Sequence, residues 1–168
     1  MLAVVSDSSP LIYLTRLDSV PLLHRLHEQV MIPPAVWEEI AVRGAGLPES
    51  EALKRATKDG WILVRTPELS PGLLGSDADR LGRGEVEAIL LAKQLQALLL
   101  TDDFDARALA QSVGVQVSGI VGLLIRAKTA GYLPQLKPLL DRLRYQTNFR
   151  ISDDLYRKAL QAAGEVQS

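Results

Sequence analysis

The stretch LAVVSDSSPLI, residues 2–12, joins a short apolar run to an acid and then to the start of a helix. The run from Leu2 to Val5 is typical of a buried strand, where a carboxylate such as that of Asp7 has no packing role. Ser9 and Pro10 then supply an N-cap and a proline at the first helical position. The segment is therefore predicted to be a strand-to-helix turn that presents Asp7 at the carboxyl end of a strand.

A second acid, Asp103, follows another apolar run, residues 97–100, at a similar spacing. In an open α/β fold the carboxyl ends of the strands face the ligand crevice, so acids placed there converge. Two further acids, Glu39 and Glu85, lie in helical stretches among core-type residues. Converging carboxylates repel one another by about 1 to 4 kcal/mol per pair at about 4 Å. A hard divalent cation is the natural group to offset that repulsion.

Strand patterns alternate with helical patterns over most of the chain. Strands are predicted at 2–5, 30–32, 61–64, 97–100 and 115–117, and helices at 11–17, 20–27, 35–43, 48–58, 84–96 and 104–113. Such alternation predicts an α/β fold, a three-layer α/β/α sandwich with a central parallel sheet of about five strands. Residues 66–83, with two prolines and three glycines, are predicted to be a long loop.

After Gly119 the pattern becomes purely helical, with helices predicted at 120–130, 134–145 and 153–163 and an N-cap at Ser152. A chain of 168 residues with 47% hydrophobic content suits one domain with a sizeable core. A single domain over 1–168 is predicted, with its core at about 1–118 and a C-terminal helical extension at 119–164.

The composition excludes several classes of protein. The absence of cysteine excludes a disulfide framework and any Cys-based zinc or nucleophile chemistry, and it suits a reducing cytoplasm. No secretory signal is evident, and the apolar stretches are too short to span a membrane. A net charge of −1 argues against a strongly basic nucleic-acid binder, and 5% aromatic residues give no support for a base-stacking platform. A soluble, cytoplasmic protein without membrane contact is expected.

Four short motifs, in order and at compatible spacing, together resemble the PIN-domain nucleases. The closer resemblance is to a bacterial and archaeal PIN-like branch long known only as a domain of unknown function, and it covers nearly the whole chain. The motifs are VVSDSSPLI at 4–12, IPPAVWEEI at 32–40, GEVEAILLA at 84–92 and LTDDFD at 100–105. Each motif is weak alone, and the four together are fairly specific.

The resemblance assigns four acids as catalytic and metal-ligating groups: Asp7, Glu39, Glu85 and Asp103. In the second motif the family places an acid just before an aliphatic residue, which selects Glu39 over its neighbour. In the third motif this chain carries Glu85 where toxin-type PIN domains carry Asp. The longer side chain reaches farther, so the geometry of the metal site is expected to shift.

Three other acids remain as alternatives or additions to this set. Glu87 is the alternative to Glu85 as a metal ligand, Asp102 is the alternative to Asp103, and Asp105 is a weaker fifth acid. Each main acid also has a purely structural explanation, as a turn former, a solvated helix residue, a first-turn acid or an N-cap. Four such coincidences in one chain are much rarer than one.

The resemblance implies a metal-dependent ribonuclease that hydrolyses RNA phosphodiester bonds with Mg²⁺ or Mn²⁺. The candidate ligands are all carboxylate oxygens, which suit these ions. Like other small PIN proteins, the chain is expected to be the toxin of a type II toxin–antitoxin pair, with RNA as substrate and an antitoxin protein as partner. The alternative is a non-catalytic PIN-like module that binds proteins.

A homodimer is also expected, because toxin-type relatives pair through helices. The chain has many apolar helical positions that could serve in pairing, and C₂ dimers are the commonest oligomers. The positions considered are Leu22, Leu23, Leu26, Val36 and Ile40.

Overall fold

The computed structural model describes residues 2–165, in which five short parallel strands form one sheet. The strand order is β3-β2-β1-β4-β5, so the first strand of the chain lies at the centre. Helices cover both faces, which confirms the predicted three-layer α/β/α architecture. The strands are β1 (Val4–Ser6), β2 (Val30–Ile32), β3 (Ile62–Val64), β4 (Leu98–Leu100) and β5 (Val117–Ser118).

The helices follow the predicted order, with most bounds within two residues of the prediction. The long loop also contains two short 3₁₀ helices, Pro71–Leu74 and Ser76–Arg80. The helices are α1 (Ser8–Arg16), α2 (Val20–Leu26), α3 (Pro34–Trp37), α4 (Pro48–Lys58), α5 (Arg83–Leu95), α6 (Phe104–Ser112), α7 (Ile120–Thr129), α8 (Lys137–Gln146) and α9 (Asp153–Ala162).

The helix predicted at 35–43 differs from the structure, because α3 is followed at once by a π-helix, Glu38–Arg43. The wider turn is closed by the N–H of Gly44, which donates to the carbonyl of Glu39 at 3.1 Å. Single π turns of this kind occur often at functional sites.

Three other predicted boundaries were wrong, each because a tertiary or capping contact decides the end. The N-cap of α1 is Asp7 rather than Ser9. The strand predicted at 115–117 begins at Val117. The N–H of Val115 donates to the carbonyl of Ala110 at 2.9 Å and so belongs to the turn that ends α6. α8 begins at Lys137, where the carboxylate of Glu165 accepts the first N–H groups at 2.6 and 3.2 Å.

Two apolar clusters lie on the two faces of the sheet. Neighbouring residues of a strand face opposite ways, so Val4 and Leu100 join one cluster while Val5 and Leu99 join the other. Helices α5 and α6 cover the second face. The C-terminal helices α7 to α9 contribute to the first cluster and thus share the core of the sheet.

The apolar positions considered for pairing of protomers mostly face inward. Leu22, Leu23, Val36 and Ile40 are buried in the first cluster, so they cannot form a surface between two copies. Of the five positions considered, Leu26 is only partly buried, and the oligomeric state stays a prediction. Among residues 2–165, no helix combines the length and apolar character that a membrane crossing requires.

Candidate active site

Two of the four acids follow neighbouring strands at the carboxyl edge of the sheet. Asp7 follows β1 and Asp103 lies three residues after β4, and the last residues of these parallel strands, Ser6 and Leu100, are paired. The N–H of Asp7 also donates to the carbonyl of Leu100 at 2.9 Å. The central pair of strands thus fixes the relative position of the two acids.

Asp7 is almost fully buried, with 3% of its surface exposed. The backbone N–H of Ser8 donates to its Oδ1 at 2.7 Å, and the hydroxyl of Thr101 donates to its Oδ2 at 3.0 Å. The Thr101 oxygen in turn accepts the N–H of Asp103 at 3.3 Å. Both carboxylate oxygens are therefore oriented before any ligand binds.

Glu39 reaches the same place from the π-helix after β2. The hydroxyl of Ser8 donates to Glu39 Oε2 at 2.6 Å, so one serine holds both Asp7 and Glu39. Its neighbour Glu38 instead forms an ion pair with Arg83 at 3.3 Å. The structure thus places Glu39, the acid selected from the motif, next to Asp7.

Gly84, in the first turn of α5, leaves open the space between these carboxylates. A Cβ added at this glycine would lie 3.5 Å from Glu39 Oε2 and 3.9 Å from Asp7 Oδ1. A side chain at position 84 would therefore lie against both carboxylates.

Glu85 caps the start of α5, since its Oε2 accepts the N–H of Gly82 at 2.5 Å. Burial raises the pKa of Glu85, and the charges of Asp103 and Glu39 raise it further, against the lowering effect of the Gly82 hydrogen bond. Glu85 therefore both caps the first turn of α5 and lies close enough to the other acids to be affected by their charges.

Burial also raises the pKa of Asp7 from 3.8 to about 6, and the charges of Glu85 and Glu39 add to that effect. The hydrogen bonds from Ser8 and Thr101 act in the opposite direction. Glu85 and Glu39 thus act on Asp7, and Asp103 acts on Glu85, so the four acids are electrostatically linked. We call them the acid cluster: Asp7, Glu39, Glu85 and Asp103.

The alternative acids have other partners. Glu87 accepts the N–H of Ala35 at 2.8 Å and pairs with Arg83 at 3.0 Å, which ties the start of α3 to α5. Asp105 is exposed in the first turn of α6. Neither residue is among the charges that act on Asp7.

Asp102 turns away from its neighbour Asp103 and caps the start of α7. Its carboxylate accepts the N–H of Ile120 at 3.0 and 3.2 Å. Burial raises the pKa of Asp102 to about 6, although Ile120 and the charge of Arg107 oppose the shift. The side chain joins β4 to α7.

Gly119→Ala is expected to lower the free energy of unfolding by about 1–3 kcal/mol. An added Cβ would overlap Asp102 Oδ1 and lie 2.9 Å from Arg107 Nη1, so the cap on α7 would be displaced. Urea unfolding measures the effect. The matched control is Gly72→Ala, where the Cβ would meet only Ser70 Oγ at 3.6 Å. Equal stability of the two variants would contradict the capping role.

The acid cluster suits a hard divalent cation by its chemistry, since every donor is a carboxylate oxygen. Within the described part of the chain, no three His, Asp or Glu side chains are already arranged to hold one ion. The hydrogen bonds explain this arrangement, because Glu85 is held on Gly82 and Asp103 on the N–H of Ala106 at 2.8 Å. Metal binding would require these side chains to turn toward Asp7.

A cavity of about 420 Å³ opens beside the acid cluster. Its lining includes two members of the acid cluster, Glu39 and Glu85, together with two arginines, so the cavity presents both negative and positive charge. Its lining residues are Ala35, Glu38, Glu39, Arg43, Gly82, Arg83, Gly84 and Glu85.

Two residues near the acid cluster were not predicted from the sequence. Arg43 lies four residues after Glu39, and this helical spacing could have indicated a shared face. Phe104 directly follows Asp103, but an apolar residue at the start of a helix normally indicates core, so the sequence contained no signal of its exposure.

The fold is that of an α/β domain with a cluster of acids at the carboxyl edge of its parallel sheet. The chain belongs to the PIN domain family, whose profile matches residues 3–165. A similar solved structure is a PilT N-terminus domain protein from the hyperthermophilic archaeon Sulfolobus solfataricus P2. It is 22% identical, with a TM-score of 0.45, over 80% of this chain and 96% of that one. No curated protein matches the chain.

Proposed function

We propose that the protein is a metal-dependent ribonuclease that hydrolyses RNA phosphodiester bonds. PIN domains are generally nucleases and typically use divalent metals. The observation that supports this activity here is the buried Asp7, whose pKa is raised partly by the acids around it. A fold gains no stability from such a cluster unless a cation offsets the repulsion.

The side chains of the acid cluster would hold Mg²⁺ or Mn²⁺, with Asp7 and Asp103 as principal ligands. Glu39 and Glu85 would be further ligands or would position water. The ion would make a water molecule more acidic and would offset negative charge on the phosphate.

Ser8 and Thr101 act as positioning residues. Ser8 fixes Glu39 relative to Asp7, and Thr101 fixes Asp7 relative to the backbone of Asp103. Asp7 and Glu39 are thus fixed in advance and would need little reorganisation, whereas Glu85 and Asp103 would have to turn toward the ion.

Metal dependence provides the direct test. With Mg²⁺ or Mn²⁺ the protein should cleave RNA, excess chelator should abolish cleavage, and added metal should restore it. The metal should also raise the free energy of unfolding, by about 2.7 kcal/mol at a hundred times its Kd. Thermal unfolding with and without Mn²⁺ measures this rise.

Glu85→Gln and Glu87→Gln form a matched pair for the metal test. The first should reduce the stabilisation by Mn²⁺, because Glu85 belongs to the acid cluster, whereas the second should keep it, because Glu87 binds α3 and Arg83. Cleavage that persists in excess chelator would contradict the metal mechanism. A folded protein that cleaves no RNA would favour the protein-binding module instead.

We further propose that the chain is the toxin of a toxin–antitoxin pair and forms a homodimer, as the motif resemblance implies. A neighbouring gene for a small antitoxin-like protein would support the first proposal. Sedimentation tests the second, and a monomer at tens of micromolar would count against it. Any pairing surface must lie outside the buried positions Leu22, Leu23, Val36 and Ile40.

A further inference from the structure

Phe104 is the most exposed large hydrophobic residue in the described part of the chain, with 83% of its surface accessible. It is the first residue of α6 and directly follows Asp103 of the acid cluster. The other phenylalanine, Phe149, packs edge-on against Tyr13 with ring centroids 5.1 Å apart. Phe104 therefore presents an aromatic ring to solvent beside one of the candidate metal ligands.

Arg43 is exposed at the end of the π-helix and lines the cavity that contains Glu39. Within residues 2–165 its guanidinium takes part in no ion pair and no side-chain hydrogen bond. Arg83 lines the same cavity but is held by Glu38 at 3.3 Å and Glu87 at 3.0 Å. Of the two arginines, only Arg43 has its donors free for an anion.

The helices that carry these two residues follow strands on opposite sides of β1. Glu39 and Arg43 follow β2, Asp103 and Phe104 follow β4, and β1 with Asp7 runs between those strands. Adjacent strands are about 4.8 Å apart, so β2 and β4 are separated by about 10 Å. An RNA strand that contacts both residues would thus run across the carboxyl end of β1, where Asp7 lies.

We propose that Arg43 and Phe104 are positioning residues that hold an RNA strand across the acid cluster, Arg43 by a backbone phosphate and Phe104 by stacking on an unpaired base. This inference rests on the proposed ribonuclease function. A planar guanidinium is suited to phosphate oxygens. An exposed ring stacks on any base, because every base has a π-face. The two contacts would place the phosphodiester between them over the acids.

The base contact can be measured by RNA affinity in the full chain that carries Asp7→Asn, so that cleavage does not interfere. With a labelled, unstructured RNA oligonucleotide, Phe104→Ala should weaken binding about 5- to 150-fold, which corresponds to about 1–3 kcal/mol per stacked base. Phe104→Trp should retain the affinity. The matched control is Tyr145→Ala, since Tyr145 is exposed on α8 and outside the acid cluster, and it should have no effect.

The phosphate contact can be measured by salt dependence. In the same background, Arg43→Gln should reduce the slope of log affinity against log salt by about 0.7, the value for one phosphate of a single strand. Arg150→Gln is the control, because Arg150 is an exposed arginine in the segment between α8 and α9. Its slope should match that of the parent.

Cleavage kinetics separate this inference from the proposed function. If the wild-type chain cleaves no RNA with Mg²⁺ or Mn²⁺, the proposed function fails. If it cleaves RNA, Phe104→Ala and Arg43→Gln should raise KM more than they lower kcat, and unchanged KM and affinity in both variants would overturn the inference. A Phe104→Ala variant that loses self-association or a protein partner at unchanged RNA affinity would also overturn it.

Discussion

Asp7→Asn should lower the rate of RNA cleavage by about 10²- to 10³-fold, the range typical for loss of one preorganised electrostatic group. Asparagine has nearly the same size, and its carbonyl oxygen can still accept the N–H of Ser8. Its amide can face the Thr101 hydroxyl, which is able to accept a hydrogen bond. The substitution thus removes the charge that would hold a metal and keeps the shape. Rates measured on one RNA at saturating Mg²⁺ would test this expectation.

The same variant should be more stable than the parent when no metal is present, by about 1–3 kcal/mol. The folded-state pKa of Asp7 lies near 6, above its ordinary 3.8, so the folded protein holds this proton more tightly than the unfolded chain. At neutral pH the ionised carboxylate therefore destabilises the fold, and asparagine removes that cost. Chelator-treated samples unfolded in urea at neutral pH measure the difference.

Asp59→Asn serves as the control for both measurements, because Asp59 is an exposed acid at the end of α4. Neither its cleavage rate nor its stability should differ from the parent. Undiminished cleavage by Asp7→Asn would contradict the assignment of this acid. A loss of stability on removal of its charge would contradict the account of the acid cluster.

Leu100→Ala should lower the free energy of unfolding by about 2–5 kcal/mol, the usual cost of a cavity in a close-packed core. Leu100 is fully buried on β4 and belongs to the first apolar cluster. Its carbonyl also accepts the N–H of Asp7, so the residue supports the acid cluster through its backbone. Urea unfolding is the measurement.

Leu73→Ala is the matched control, because Leu73 is about half exposed in the first 3₁₀ helix. Its cost should stay within about 0.5 kcal/mol. Equal effects of the two leucine substitutions would mean that β4 does not pack as described. At temperatures where Leu100→Ala remains folded, its backbone hydrogen bond to Asp7 should persist and cleavage should continue.

Four of the five strands were predictable because local pattern decides them. The apolar run at 30–32 gave β2 with its exact bounds, and the run before Asp7 gave the central strand within two residues. The rule that strand ends share one edge then placed Asp7 and Asp103 together, and their strands are indeed neighbours. The family motifs were needed for Glu39, since a helical acid carries no such positional information.

Other features depend on contacts that local pattern does not contain. The π-helix widens one turn between α3 and α4, although its residues have an ordinary helical pattern. The direction of Asp102 is set by Ile120 of α7, eighteen positions later. The start of α8 is set by Glu165, beyond the end of α9. Such choices follow from how the elements meet in three dimensions.

The central position of β1 also determines when the acid cluster can exist during synthesis. Asp7 and Thr101, whose side chains are hydrogen-bonded, are 94 positions apart. Pairing of such distant segments closes a long loop and slows folding. A ribosome adding about 5 to 20 residues per second needs about 5 to 20 s to make the intervening chain. The nascent chain therefore carries Asp7 for many seconds without its partners, and an RNA-cutting activity built on this cluster would begin only after β4 has left the exit tunnel.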